Sequence, residues 1–500
     1  MRLDLLLVPL AYFFVVCIGV GAYLMKKYGS TIHGYIAAGG AFGWLLLMSE
    51  SVLLPFGVGD TINVSQGTWF LGANIAWFKP FVPIFSLTLL YFAIGPWIAT
   101  VNRRLGARTS SELLGKAYDP LVRFLHASIS SAYLIALCAI EMIGTSLIIM
   151  AATGLPRSES LLLAAVLFLI YAIFAGVAQV GFLNLINIVV YYIGVILGFI
   201  VLTNFIAPGG GWSMVESAAT EIAKYTSFFN PQTGDFLLTL GIPLILGTCG
   251  WAAVSHFLQF AFTAKDPKEF KKAHPVAMII NGLGSWIWLL LGFVTLVAPA
   301  ACFGEYASSI EVARQTGDAL GALAVTFQAL PSYAMVLLLI NVLVASLSTG
   351  GYGLWAGAMS FVHDIVVPMF PKMSEKRAIN LIRVFFVIFV IIAAWAGNLP
   401  SVLVYSFVFA WSLCIPLFII LIAALRWKRN SKAALWTIIS SWIVTVIWLL
   451  FSPIISQSMP SWLHAPVGAV YPSTIIGIIV YAAITLASRE RKPSLLAETH

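Results

Sequence analysis

Charge is scarce in this chain of 500 residues: charged residues make up 9% and hydrophobic residues 61%. About a quarter of the residues in a soluble globular protein are charged, so the composition excludes that class. The mean hydropathy of +0.98 predicts an all-α polytopic membrane protein. The net charge of +8 is typical of bases in cytoplasmic loops, and no nucleic-acid partner is expected.

Cysteine is also sparse, and its five copies are scattered without a CxxC spacing. They are Cys17, Cys138, Cys249, Cys302 and Cys414. This pattern indicates neither a disulfide framework nor a zinc site, so we interpret the thiols as packing residues. The chain has no HExxH or GxSxG sequence, and its seven histidines are dispersed. A membrane enzyme is therefore disfavoured, and the chain is expected not to be an enzyme.

The apolar stretches divide at charged or Pro/Gly-rich breaks into about thirteen segments of about 20 residues. They begin near Leu5, Gly43, Pro80, Phe124, Ser160, Leu183, Phe236, Pro275, Ser332, Ala378, Ser401, Ala433 and Tyr471. The first segment is too long for a signal-peptide core and has no small-residue cleavage pattern. We therefore predict that it is a retained first span.

The bases test this division, because cytoplasmic loops carry an excess of Lys and Arg. With the N-terminus outside and the C-terminus inside, the inward junctions hold roughly 22 of the 27 bases. These junctions lie at 26–27, 103–123, 265–272, 372–383, 426–432 and 489–492. The other five bases are Arg2, Lys79, Arg157, Lys224 and Arg314. The separation predicts a multi-pass protein of the plasma membrane, or of the inner membrane if the source is bacterial.

Two segments contain helix breakers at mid-depth. The second contains Glu50, Ser51, Pro55, Gly57, Gly59 and Asp60, and the seventh contains Gly241, Pro243, Gly247, Thr248 and Gly250. Broken helices at corresponding places in two halves of a transporter mark the substrate and ion site. Because the two segments lie five apart, units of five would have opposite orientations. The pattern predicts an inverted repeat of segments two to six and seven to eleven, although Pro and Gly also kink packed helices.

A polar cluster interrupts the ninth segment at Ser346, Ser348, Thr349, Gly350 and Gly351. Polar side chains are costly in hydrocarbon, so they belong on a buried helix face or beside an ion pathway. Small residues also promote close helix packing, which is the alternative interpretation.

Several motifs resemble those of the sodium/solute symporter family. The ninth segment reads ASLSTGGYGLWAGAMSFVHDIVVP at 345–368, and GWAAVSHFLQFAFTAKDPKEFKKA follows the seventh break at 250–273. AGVAQVGFLNLIN at 175–187, GWLLLMSESVLLPFG at 43–57 and RTSSELL at 108–114 complete the set, in family order. The resemblance implies a LeuT-type five-plus-five inverted repeat with one extra N-terminal and two extra C-terminal helices. The corresponding boundaries are 1–40, 41–210, 211–430 and 431–500.

The family's shared sodium site uses carbonyls of the first core helix and hydroxyls of the eighth. By motif alignment, the resemblance places this Na⁺ site at Val52, Pro55, Ala345, Ser348 and Thr349. Sodium is a hard cation that favours oxygen ligands, which agrees with these residue types. The family's Asp in the fifth core helix is replaced by Asn184, and the following Gln by Asn187. We assign both to a supporting role in coupling, and proton coupling or an uncoupled carrier stays open as an alternative.

Candidate solute contacts lie around the two breaks. We assign Glu50, Ser51, Glu141 and Trp251 to this role, because intramembrane carboxylates are functional-site candidates and Trp251 falls at an aromatic position of the family site. Structural hydrogen bonding by Glu50, a buried protonated Glu141 and simple packing by Trp251 are the alternatives. His256 matches a histidine of some proline-type members, although it could bond only to a neighbouring helix.

His363 and Asp364 are predicted to be solvated at a cytoplasmic helix end. The predicted function is Na⁺-coupled uptake of a small organic solute, with an amino acid or carboxylate favoured by analogy. A sensor is less favoured, because only residues 489–500 follow the last span, and no obligatory protein partner is evident.

Overall fold

A computed structural model describes residues 4–54, 57, 64–65, 68, 85, 88–206, 213, 237–284, 286–397 and 402–499. Over these ranges the chain is helical, and its β-structure is limited to two isolated bridges, between Phe42 and Ala264 and between Arg429 and Lys492. The predicted all-α class is confirmed. The break residues Pro55, Gly59 and Asp60 lie outside these ranges.

The α-helices of at least six residues are numbered here in chain order. They are α1 (Asp4–Tyr28), α2 (Ile32–Ala37), α3 (Trp44–Leu53), α4 (Gly95–Leu105), α5 (Ser110–Ala117), α6 (Pro120–Thr153), α7 (Arg157–Ala172), α8 (Val177–Ile206), α9 (Ile242–Trp251), α10 (Ser255–Thr263), α11 (Lys268–Gly284), α12 (Trp286–Val297), α13 (Ala307–Thr316), α14 (Ala319–Ala329), α15 (Ser332–Ser346), α16 (Tyr352–Phe361), α17 (Glu375–Ala396), α18 (Val402–Arg426), α19 (Ser431–Leu450), α20 (Ser452–Ser458) and α21 (Val470–Ala487). Single π-helical turns lie at Leu89–Ile94, Leu237–Gly241, Leu347–Gly351 and Val362–Val366.

Eight of the described helical stretches are long and apolar enough to cross a membrane, and a bent pair formed by 237–251 and 255–263 makes a ninth. These nine coincide with nine of the predicted segments. Of the other four, those near Gly43 and Pro80 lie partly outside the described residues and include α3 and α4, and those near Ser160 and Ser401 correspond to α7 and α18. The polytopic class is confirmed, and the count of thirteen stays a prediction.

Helix packing follows the predicted inverted repeat. In the first unit α3 packs on α8 and α6 packs on α7; in the second, α9 packs on α18 and α16 packs on α17. Contacts between the units are also reciprocal. The contact of α8 with α15 corresponds to that of α18 with α6, and the contact of α3 with α11 corresponds to that of α10 with α4. The central helices α6 and α16 lie against each other. This is a LeuT-type arrangement, whereas the residue boundaries of the two units stay predictions.

The break in the second unit lies at residues 252–254, where α9 and α10 meet at an angle of 52°. The break therefore lies a few residues after the glycines from which it was predicted. Gly250 is part of α9, where an added Cβ would lie 2.8 Å from the backbone nitrogen of Ile415. That glycine permits close packing of α9 against α18, a role that the sequence pattern does not distinguish from helix breaking.

Five of the predicted inward junctions, and the segment after the last span, meet at one end of the helix bundle. The Phe42–Ala264 bridge joins two of them, and Arg103 pairs with Asp266 at 2.8 Å. The other links are Ile32 N with Glu375 Oε2, Arg104 with Glu498, Arg429 Nη1 with Ala117 O and the Arg429–Lys492 bridge. We call this the basic end. The grouping of the bases is confirmed, while the compartment that this end faces stays a prediction.

The helices outside the repeat pack on its flanks. Helix α1 contacts α7, α8 and α15, and α19 and α21 pack on each other and on α18. Their outer faces carry exposed apolar side chains such as Val15, Leu450 and Leu486. In a chain of this composition, such faces are typical of contact with lipid.

Candidate functional site

The polar cluster of the ninth predicted segment forms a π-helical turn, Leu347–Gly351, between α15 and α16. Single π turns inside α-helices are frequent at functional sites, since they leave backbone groups out of register. Every residue of this turn is buried, and Ser348 and Thr349 are 0% and 4% exposed. Their hydroxyls therefore face protein rather than lipid, as predicted.

These hydroxyls meet the end of α3. That helix ends at Leu53, and its C-cap residue Leu54 still has helical backbone angles. The last carbonyls of a helix have no partner within it. Ser348 Oγ donates to Leu53 O at 3.1 Å and to Ala345 O at 2.8 Å, and Thr349 Oγ1 donates to Leu54 O at 2.8 Å.

The structure thus brings Ala345, Ser348 and Thr349 against the C-terminal end of α3, the first core helix. The carbonyls that face the hydroxyls are those of Leu53 and Leu54, which sequence reasoning did not assign. Val52 O instead accepts a hydrogen bond from Asn281 Nδ2 at 3.0 Å. Pro55 lies outside the described residues. The resulting set of candidate ligands consists of neutral, hard oxygens, and it fits a monovalent cation such as Na⁺.

Asn281 is a second residue that the motifs missed. It lies on α11, is fully buried, and its Oδ1 has no hydrogen-bond partner among the described residues. A buried amide oxygen without a partner is costly, so it is a candidate ligand or water contact. Its only signal in the sequence is a polar residue within the apolar run of α11.

Glu141 lies at the junction of three core helices. A Cβ added to Gly57, beyond the end of α3, would lie 2.2 Å from Glu141 Oε1, and one added to Gly350 would lie 3.1 Å from Glu141 Cβ. Thr145, one turn further along α6, donates to Glu141 O and bonds to Ser346 Oγ. The structure therefore brings Glu141 beside both the first break and the π turn.

Glu50 faces another group of helices. Thr263 Oγ1 on α10 donates to Glu50 Oε2 at 3.4 Å, and Asn184 Nδ2 on α8 donates to Glu50 O at 3.4 Å. Asn184 and Asn187 both bond to the Tyr171 hydroxyl, and Asn187 also accepts from Tyr12 of α1 at 2.7 Å. The described bonds of Glu50 thus connect it with α8 and α10 rather than with Glu141. Nothing is described for the side chain of Ser51.

Trp251 and His256 flank the second break. Trp251 is the last residue of α9, and its ring centroid lies 5.4 Å from that of His256 and 4.6 Å from that of Phe257. His256 is fully buried near the rings of Tyr133 and Tyr352, and neither of its nitrogens has a hydrogen-bond partner among the described residues. The alternative interpretation, a bond from the His256 ring to a neighbouring helix, therefore finds no such bond among those residues, and the ring stays available to a ligand.

The prediction that His363 and Asp364 are solvated is wrong. They are 6% and 3% exposed, and Asp364 Oδ1 accepts from Arg123 at 3.0 Å and from Thr109 at 2.8 Å. His363 Nε2 lies 3.3 Å from Glu112 Oε2. The π-helical turn Val362–Val366 lies inward against α6, so this helix end is buried by packing that the sequence does not show.

Two broken core helices, a buried oxygen set between them and the reciprocal packing of two five-helix units define a LeuT-type membrane transporter. The profile of the Sodium:solute symporter family matches residues 66–441, and the chain belongs to that family. Membership makes the protein a secondary transporter of a small solute with Na⁺ as its coupling ion, in agreement with the resemblance of the motifs. It is a family of transporters rather than enzymes.

Similar proteins agree with this assignment. The chain is 25% identical over 461 residues to the uncharacterized symporter YwcA of Bacillus subtilis (strain 168), covering 86% of this chain and 83% of that protein. It is 21% identical over 481 residues to the sodium/glucose cotransporter of Vibrio parahaemolyticus, covering 91% and 86%.

Two solved structures share the fold. A Na⁺-coupled sialic acid symporter in a substrate-bound outward-open state superposes with a TM-score of 0.77 at 16% identity, covering 98% of each chain. Mhp1, a nucleobase-cation-symport-1 family transporter solved in a closed conformation with bromovinylhydantoin, superposes with a TM-score of 0.53 at 12% identity, covering 93% of this chain and 97% of that one.

Proposed function

We propose that the protein takes up a small organic solute by alternating access, driven by one Na⁺ bound between the end of α3 and the π turn. The observation that carries this proposal is the meeting of Ser348 and Thr349 with the freed carbonyls of Leu53 and Leu54. These groups belong to different repeat units. A cation that bridges them stabilises the arrangement in which the units meet at this point, and the same arrangement presents the solute site.

The solute is proposed to bind between the two breaks, against Glu141 on one side and Trp251 and His256 on the other. The ring nitrogens of His256, unpartnered among the described residues, suit a carboxylate of the solute, because one of them carries a proton in either tautomer. A buried carboxyl at Glu141 suits a donor such as an ammonium group. A small carboxylate or amino acid is therefore the solute class we propose.

Uptake by proteoliposomes under separate sodium and proton gradients, screened against a library of small solutes, tests the proposal. The variant Ser348→Ala/Thr349→Ala removes both hydroxyls. We expect it to raise the Na⁺ concentration for half-maximal uptake by at least about tenfold, since each lost ligand is worth about 1 kcal/mol.

The matched control is Thr437→Ala/Ser441→Ala on α19, where two equally buried hydroxyls bond to carbonyls of α21. It should leave the Na⁺ dependence unchanged. Uptake that is driven by protons and indifferent to both sodium and the Ser348/Thr349 variant would reject Na⁺ coupling through this site. That result would favour the proton-coupled alternative, which Asn184 keeps open.

A further inference from the structure

Glu50 is a buried carboxyl without a described counter-charge. It is 0% exposed, and its Oε1 has no hydrogen-bond partner among the described residues. The other oxygen, Oε2, accepts from one neutral hydroxyl, that of Thr263, at the long distance of 3.4 Å. An isolated carboxylate inside protein or lipid costs several kcal/mol unless it takes up a proton or a positive charge accompanies it.

The bases at the start of α3 form ion pairs with another acid. Lys265 and Lys272 lie 4.0 Å and 3.3 Å from Glu269 Oε1, and Glu269 Oε2 accepts from the Trp44 amide at the start of α3. The groups packed against Glu50 itself are uncharged. They include Gly181 and Asn184 of α8 and Thr263 of α10. Within the described residues, therefore, the protein supplies no positive partner.

The proposed cation site between α3 and the π turn has no described negative charge among its candidate ligands. Its described oxygens belong to carbonyls and hydroxyls, which carry no net charge. Glu50 precedes Leu53 and Leu54 by three and four residues, so along the axis of α3 it lies about one helical turn, or ~5.4 Å, before them. A cation held by Leu53, Leu54, Ser348 and Thr349 would thus lie one to two turns from a carboxylate that has no positive partner in the described part of the chain.

We propose that the carboxylate of Glu50 is the counter-charge of the transported Na⁺. This inference rests on the proposed function, and it changes the role of Glu50 from a solute contact to a determinant of ion affinity. Over a separation of one to two helical turns at an effective dielectric constant of about 20, Coulomb's law predicts a contribution of the order of tenfold to a hundredfold in Na⁺ affinity.

The neighbouring Asn184 allows a rescue experiment. Its side-chain nitrogen lies 3.4 Å from Glu50 O, while Tyr171 donates to its oxygen. Asn184→Asp keeps the acceptor for Tyr171, gives up the long hydrogen bond to Glu50 O and places a carboxylate beside the same turn of α3. If Glu50 acts through its charge, moving that charge from α3 to α8 should restore much of the Na⁺ affinity that Glu50→Gln removes. A purely structural role of Glu50 would not be rescued in this way.

Binding of radioactive sodium to the purified full-length protein is the direct measurement, and it needs no knowledge of the solute. We expect Glu50→Gln to raise the Kd for Na⁺ by at least about tenfold, and Glu50→Gln/Asn184→Asp to return it to within about threefold of the wild type. Glu50→Asp, which keeps the charge, should also bind within about threefold. The exposed Glu490→Gln is the control with unchanged binding.

Size-exclusion chromatography establishes that each variant is folded. An unchanged Kd in folded Glu50→Gln would overturn the proposal, and so would equal losses in Glu50→Asp and Glu50→Gln, because the role would then depend on shape. If Ser348→Ala/Thr349→Ala abolishes Na⁺ binding while Glu50→Gln does not alter it, the inference fails and the proposed function stands. If the wild-type protein binds no Na⁺, both fail.

Discussion

At the scale of single residues, the site depends on glycines that leave room for neighbouring side chains. A Cβ on Gly57 would lie within 2.6 Å of all three carboxyl atoms of Glu141, and a Cβ on Gly350 would lie 2.2 Å from the Phe168 ring. Both glycines therefore permit close approach rather than an unusual backbone conformation. They allow the first break, α6 and the π turn to meet around Glu141, which is why these positions are sensitive to a single added methyl group.

Gly57→Ala should keep the fold but impair transport. The added methyl group meets the end of a side chain, which can move, yet the movement displaces the Glu141 carboxyl from the break. We expect the maximal uptake rate to fall by at least about fivefold while the folded yield is retained. Gly19→Ala is the matched control, because no atom lies within 4 Å of its added Cβ. Equal uptake by the two variants would show that Glu141 has no role in transport.

At the scale of helices, a hydrogen-bonded chain joins the extra helix α1 to the first core helix. It runs from Tyr12 through Asn187 and Tyr171 to Asn184, and from Asn184 to Glu50 O. The asparagines predicted to support coupling are therefore structural links between four helices. Each link satisfies a buried polar group, so the chain fixes the position of α3 relative to α1 and α8.

Tyr12→Phe tests this link. Removing the hydroxyl leaves Asn187 Oδ1 without its donor from α1, which should cost about 1–2 kcal/mol and lower the thermal midpoint in detergent by about 1–3 °C. Tyr23→Phe on the same helix is the control, because Tyr23 is 74% exposed and its hydroxyl loss should leave the midpoint unchanged. If both variants melt with the wild type, α1 is not held through this chain.

At the scale of the whole molecule, the basic end is held by buried and half-buried ion pairs. Arg123 and Asp364 join α6 to the end of the ninth predicted segment, and Glu112 on α5 bonds to Lys116 and His363. Burial alone would raise the pKa of Glu112, but hydrogen bonds from His363, the Arg108 amide and Lys116 outweigh it and lower that pKa to about 2. The ionised carboxylate is therefore favoured by the folded state.

This network predicts a pH-dependent stability. Because the folded-state pKa of Glu112 lies below its ordinary value, its contribution is complete above about pH 5 and is lost as the pH falls towards 2. Glu112→Gln should lower the thermal midpoint at pH 7, by the equivalent of about 1–3 kcal/mol, and the difference from the wild type should vanish near pH 2.

Glu490→Gln is the control for this experiment. Glu490 pairs with Lys432, but both side chains are at least 75% exposed, so the pair should contribute little. A constant difference between Glu112→Gln and the wild type from pH 7 to pH 2 would contradict the assigned ionisation of Glu112.

The amino-acid sequence by itself determined the membrane class, the grouping of basic loops at one end, the inverted repeat and the hydroxyl pair at Ser348 and Thr349. These features follow from the composition, from the distribution of Lys and Arg among the loops and from the positions of helix breakers, all of which can be read along the chain. The family motifs likewise indicated Na⁺ coupling, which the family membership supports.

Only the tertiary structure decided how these parts face one another. Ser348 meets the carbonyl of Leu53, 295 residues away, rather than that of Val52, which bonds to Asn281. The rotation of α3 about its axis and its distance from α15 are set by packing between helices, on which a pattern of apolar residues carries little information. For the same reason, the burial of Asp364 and the lack of a positive partner for Glu50 among the described residues became visible only once neighbouring helices were in place.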